Sequence, residues 1–155
     1  MNKYFMEIAI EEAKKAFVIG EIPIGAVIVK NNEIIGRGHN LRETSQDPTA
    51  HAEIIAIKEA SKSLGGWRLT SCDLYVTIEP CPMCAGAIML SRIENIFIGA
   101  MDPKGGAIGS LYNIAEDDRL NHISNVTYGL LEEECSTLMK SFFRDLRQKK
   151  KLNKK

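Results

Sequence analysis

The chain reads as an α/β protein built on one mixed five-stranded sheet, an expectation that rests on three features of its 155 residues. Residues 24–29 and 33–38 are β-branched runs separated by Lys30, Asn31 and Asn32, the pattern of an antiparallel hairpin. From residue 49 to residue 100 helical and strand-like segments alternate, which makes parallel crossovers. Residues 125–129 add a fifth strand-like run. A hydrophobic content of 45% and a charged content of 26% are ordinary for a globular domain. There is no basic segment followed by an apolar run, and no stretch nears the roughly 18 apolar residues of a membrane span, so a cytoplasmic protein with no membrane partner is expected.

Taken in order, residues 2–19 place Phe5, Ile8, Ala9, Ala13, Ala16 and Phe17 at helical spacing, and Gly20 ends the run; this helix should lie on the sheet. In the first strand, Gly25 and Ala26 leave room either for a ligand or for close packing. A polar loop, residues 39–48, carries Asn40. A helix over about 50–64 follows, capped by Thr49 or a neighbour and stopped by Gly65-Gly66, so His51 opens it. Trp67 is expected to pack at the end of that helix. Strand 73–78, helix 82–90 and strand 94–100 come next. Residues 102–110, DPKGGAIGS, lack the layout of a phosphate-binding P-loop and read either as a flexible turn or as a substrate-contacting loop. Residues 111–117 suggest a short helix. An amphipathic helix over about 131–150 and a Lys-rich tail close a single domain spanning 1–155, with 131–155 as its basic extension.

The chemistry concentrates in EPCPMC, residues 79–84. Cys81 and Cys84, three apart, share one face of a first helical turn, and Pro82 suits the first helical position because its missing N–H has no acceptor there. A helix N-terminus also favours thiolates. Upstream, His51-Ala52-Glu53 completes H-x-E followed by P-C-x-x-C, the pattern of zinc nucleobase deaminases. Imidazole and two thiolates suit a tetrahedral zinc ion, and no second CxxC or HxxxH cluster offers a fourth ligand. Three protein ligands leave a position for water, which marks a catalytic site, and Glu53 is placed to move that water's proton. A redox pair is the competing reading of CxxC, but it needs no HAE upstream. Cys72 and Cys135 read as small buried hydrophobes.

The formal charge of zero hides an asymmetry. Arg144, Arg147, Lys149, Lys150, Lys151, Lys154 and Lys155 stand against Asp145 alone, a local balance of +6, so the remainder carries −6. Such a tail either meets a polyanion or is simply solvated.

The chain resembles the cytidine/deoxycytidylate deaminase superfamily in IPIGAV at 22–27, Asn40, DPTAHAEI at 47–54, YVTIEPCPMCAGA at 75–87, GAMDPKGGAIGS at 99–110 and SFFRDLR at 141–147. The last two stretches are similar to its tRNA-specific adenosine deaminase branch. The resemblance implies a three-layer α/β/α cytidine deaminase-like fold, one Zn2+ per subunit on His51, Cys81 and Cys84, and Glu53 as proton shuttle. It implies conversion of adenosine to inosine at the wobble position (34) of tRNA, the arginine tRNA with anticodon ACG, by a homodimer. Asn40 would then hydrogen-bond the purine edge and the Ala52 N–H would contact the base. Asp102, a poor neighbour for phosphate, is a good acceptor for a ribose 2′-OH. Lys104, Arg144 and Arg147, with Phe142 and Phe143, are candidates for the anticodon stem-loop, at least one Phe being core. The rivals are a guanine or other free nucleobase or nucleoside deaminase with the same zinc site, and an RNA-binding protein with structural zinc.

Overall fold

A computed structural model describes residues 2–153. Helix α1 (Lys3–Val18) begins where the Asn2 side chain accepts the Tyr4 N–H. Strands β1 (Gly25–Lys30) and β2 (Glu33–His39) form the expected hairpin, turned by Asn31 and Asn32 at φ 52° and 63°. Both positions need left-handed backbone, which Asn tolerates better than most residues. Then follow α2 (Ala52–Leu64), β3 (Asp73–Ile78), α3 (Pro82–Leu90), β4 (Asn95–Ala100), β5 (Asn125–Tyr128) and α4 (Glu132–Asn153).

The strand order is β2-β1-β3-β4-β5, antiparallel across β1 and parallel from β3 to β5. Because side chains alternate along a strand, the sheet buries two apolar faces. Ala26, Ile28, Leu74, Val76, Ile96 and Ile98 pack with α2 and α3 on one side. Val27, Val29, Tyr75 and Phe97 pack with α1 and Leu130, Cys135 and Met139 on the other. The result is the three-layer α/β/α arrangement with a mixed five-stranded sheet. Cys72 and Cys135 are buried within it.

The structure decides between several local alternatives and corrects other expectations. A Cβ on Gly25 would lie 2.0 Å from the Ala9 carbonyl oxygen, so that glycine serves the close approach of α1 and not a ligand. Residues 111–117 form no helix: Leu111 and Tyr112 are exposed, so no apolar face is there to bury, and an Ile108–Asn113 bridge makes a small turn instead. Thr49 does not cap α2, because Asp47 takes its N–H and hydroxyl; His51 occupies the cap position. Trp67 is 53% exposed, with the Arg68 guanidinium 4.3 Å from its ring centre. Lys154 and Lys155, counted in the basic tail, lie outside the described residues.

Candidate active site

The N-termini of α2 and α3 meet beside the carboxyl end of β3, and each has a side chain able to ligate a metal at its cap position, His51 and Cys81. Neither side chain makes a capping hydrogen bond, so both remain available. His51 Nδ1 lies 3.6 Å from Cys81 Sγ and 3.5 Å from Cys84 Sγ. A tetrahedral ion with Zn–S of about 2.3 Å and Zn–N of about 2.0 Å spans N···S edges of about 3.5 Å. The triad therefore fits zinc in ligand type and in spacing, and it is the His/Cys/Asp/Glu cluster of metal-binding geometry found among the described residues.

The electrostatics match that use. The hydrogen bond from Cys84 holds the Cys81 thiol down to about 5, against the opposing effect of burial. The same contact, with burial, pushes Cys84 strongly up. Glu53, in the first turn of α2, is 4% exposed. Burial raises its carboxyl to about 7, opposed by its own backbone amide and reinforced by the charge of Cys81. A carboxyl poised near neutrality is suited to both taking and giving a proton. It is not one of the triad's ligands.

The triad opens into a cavity of about 690 Å3 whose wall includes Asn40, Ala52, Glu53, Asp102, Lys104 and Arg147. Asn40 is buried; its Oδ1 accepts the Arg42 N–H at 3.3 Å and its Nδ2 reaches the Ile22 carbonyl at 3.5 Å, both long. It thus stabilises its turn and still faces the cavity. Asp102 Oδ1 accepts the Lys104 and Gly105 N–H groups, each at 3.2 Å. Arg144 does not line the cavity; its exposed guanidinium lies 3.9 Å from Asp145. Of the two phenylalanines, Phe142 is buried against Phe17 and Phe143 faces the cavity.

Sequence reasoning missed Arg42, Lys140 and Glu79, all in the cavity wall. Arg42 stands two residues from Asn40. Ser136, Lys140, Phe143 and Arg147 recur at helical spacing on α4, so the stripe was available from the periodicity. Glu79 carried no such signal. Its buried carboxylate accepts the N–H groups of Asp102, Ile108 and Ser110 and the Ser110 hydroxyl. Residues 102–110 are therefore a pinned loop, not a flexible turn. Glu21 does the same for the loop after Asn40, accepting from Glu43 and Thr44.

A His-Cys-Cys zinc site with an adjacent buried glutamate defines a hydrolytic zinc deaminase. Residues 1–100 match the model of the cytidine and deoxycytidylate deaminase zinc-binding region, and the chain belongs to that family. Within it the chain is 56% identical over 154 residues to the tRNA-specific adenosine deaminase of Bacillus subtilis (strain 168), covering 99% of this chain and 96% of that one. It is 50% identical to the protein of the same description from Aquifex aeolicus (strain VF5), over 94% and 96% of the two chains. A solved structure from work on A-to-I editing by tRNA:A34 deaminases superimposes with a TM-score of 0.85 at 44% identity, covering 88% of this chain and 99% of that one. The guanine deaminase of Bacillus subtilis is similar over less, with a TM-score of 0.62 and 47% identity across 65% of this chain and 66% of that one.

Proposed function

We propose that this chain is a zinc-dependent tRNA adenosine deaminase, hydrolysing adenosine to inosine and ammonia at wobble position 34, with the arginine tRNA of anticodon ACG as substrate. The observation that carries this reading is that one cavity holds both the deaminase machinery and a rim of Asn40, Asp102, Lys104 and Arg147, in a chain whose full-length relatives are tRNA-specific adenosine deaminases. A free base needs no cationic rim; a phosphodiester backbone does.

His51, Cys81 and Cys84 hold the zinc, which when bound acts as a Lewis acid and lowers the pKa of water. Glu53 takes one proton from the water that adds to adenine C6 and delivers it to ring N1, then takes the second from the resulting C6 hydroxyl and delivers it to the departing amine, so that the C–N bond breaks and ammonia leaves. Asn40 hydrogen-bonds the purine edge. The Ala52 N–H, in the first turn of α2 where amides lack helical acceptors, donates to the base. Asp102 keeps one carboxylate oxygen outside its own turn for a ribose 2′-OH. Lys104 and Arg147 meet phosphates of the anticodon stem-loop, and Arg144 lends its charge from outside the cavity.

The chain acts as a cytoplasmic homodimer, as one domain. Helix α3, PMCAGAIML, is apolar all round yet leaves Met83 and Leu90 exposed, a face that a second copy would cover. Among the described residues no helix is long and apolar enough to cross a membrane.

The decisive experiment incubates zinc-loaded protein with an anticodon stem-loop bearing adenosine at the wobble position, and separately with adenine, guanine, cytosine and cytidine, and scores deamination by mass. Inosine in the RNA alone is expected. Turnover of free guanine with untouched RNA would replace the substrate and keep the zinc chemistry.

A further inference from the structure

The buried carboxylate of Glu79 is used by neither the metal nor the proton transfer, and it is the most heavily hydrogen-bonded acid of the described residues. Its backbone N–H donates to the Ala100 carbonyl at 2.9 Å, which continues the β3–β4 pairing one residue past β3. Its side chain leaves that pairing and enters the loop. Oε1 accepts the Asp102 N–H at 2.9 Å and the Ser110 hydroxyl. Oε2 accepts the Ile108 and Ser110 N–H groups at 3.0 and 2.9 Å. The loop is thus held at its first residue, near its end and at its last residue by one group. Pro80 adds a further tie, its carbonyl accepting the Ala107 N–H at 2.8 Å. Space is equally committed: a Cβ on Gly106 would fall 2.1 Å from the Glu79 carboxyl carbon.

Among the described residues no Lys, Arg or His forms an ion pair with this carboxylate. Its charge is met entirely by loop donors, so the loop and the carboxylate require each other. Asp102 and Lys104, both in the cavity wall, are carried by that loop, and the zinc ligand Cys81 stands two residues from Glu79.

We propose that Glu79 is the positioning residue of the substrate loop: by fixing residues 102–110 it aims Asp102 and Lys104 into the cavity, and so sets how tightly the RNA is held without taking part in the chemical step. This rests on the tRNA deaminase reading above. An amide in place of the carboxylate turns one acceptor into a donor facing N–H groups, so Glu79→Gln is the isosteric test.

With the zinc-loaded enzyme and the wobble-adenosine stem-loop, Glu79→Gln is expected to raise KM roughly tenfold or more while kcat stays within about threefold, the signature of lost uniform binding. Zinc content should remain at one per chain. Lost zinc, a fall in kcat at unchanged KM, or unaltered kinetics each overturns the proposal. Added to Asp102→Ala and Lys104→Ala together, Glu79→Gln should raise KM no further; a fully additive rise would mean that Glu79 does not act through this loop. Amide exchange at Asp102, Ile108 and Ser110 should accelerate while β3 stays protected, and unchanged protection there overturns the proposal as well. If Glu79→Gln does not fold, Gly106→Ala disturbs the same contact from the loop side and Ser110→Ala removes one donor, and both should show the same KM split. Wild-type enzyme that leaves the stem-loop untouched would defeat the substrate reading, and amide exchange would still decide on Glu79.

Discussion

His51, Cys81 and Cys84 reach one point from two helix N-termini, whereas Asn40, Asp102, Lys104 and Arg147 reach the same cavity from two loops and a helical stripe. The floor depends on local geometry: a ligand at each cap position and one a turn later, on helices anchored by the apolar face of the sheet. The rim depends on buried carboxylates, with Glu79 holding the 102–110 loop and Glu21 the loop after Asn40. Damage to the floor should abolish chemistry, and damage to the rim should weaken substrate binding while chemistry survives.

The largest effect belongs to the metal. Cys81→Ser removes a thiolate from a three-ligand site and should abolish zinc retention and turnover together; chelation of the wild-type protein should do the same, with zinc restoring activity only to the latter. Metal content measured beside activity checks this, and a zinc-free variant that still turned over RNA would sink the metal assignment.

Glu53→Gln separates the proposed proton shuttle from the metal. Turnover should fall by about 10²–10⁴, the usual worth of general acid–base catalysis, with zinc retained. The same variant has an opposite effect on stability. Burial raises the Glu53 carboxyl from 4.5 to about 7, so the folded metal-free protein holds this proton more tightly than the unfolded chain does. Stability tied to that proton is full below 4.5 and is lost as pH rises through about 7. Glutamine mimics the neutral form. Metal-free Glu53→Gln should therefore match wild type in stability at pH 4.5 and exceed it at pH 8, by on the order of 3 kcal/mol. Equal melting at both pH values would remove the buried-acid account.

The same contrast explains what could be read from the chain alone. Candidate zinc ligands and Glu53 are legible because H-x-E and P-C-x-x-C are each local patterns, although 30 residues separate His51 from Cys81 and only the zinc deaminase pattern joins the two halves. The hairpin and the parallel β3–β4 pair follow from apolar runs and from the alternation of helix and strand. Asn40, Ala52, Asp102, Lys104 and Arg147 do gather in the cavity wall, but nothing in their spacing says so: only the family resemblance brought them together. Glu79 was visible as a letter in EPCPMC and silent as a contact, because its donors lie 23 to 31 residues away and are mostly backbone amides, which any residue supplies. Residues 111–117 misled because their composition tolerates a helix, while no packing surface rewards one.

A third buried acid, Glu12, extends the support behind the rim. It accepts from Lys15, Arg37 and His39, the last next to Asn40. Burial pulls its carboxyl up, but hydrogen bonds from Lys15, His39 and Arg37 outweigh that and leave it below its usual value of 4.5. With the folded value depressed, the stabilisation is present above 4.5 and is lost as pH falls below it. Glu12→Gln should therefore be less stable than wild type near neutral pH, and the gap in melting temperature should narrow in acid. A gap constant from pH 7 to pH 3 would mean that the network stabilises by shape and not by charge.

The finest distinction lies within α4, where sequence alone treats Arg144 and Arg147 alike. Successive residues on a helix are separated by about 100°. Phe143 and Arg147, four apart, share the face that lines the cavity; Arg144 is turned away and lies 3.9 Å from Asp145. Arg147→Ala should raise KM for the stem-loop several-fold and flatten its dependence on salt by about one counterion, because a phosphate contact is lost. Arg144→Ala should change KM by less than about twofold, the effect of one screened surface charge. Equal losses for the two would mean that the basic helix acts on RNA as a diffuse field, and that its orientation over the cavity contributes nothing to recognition.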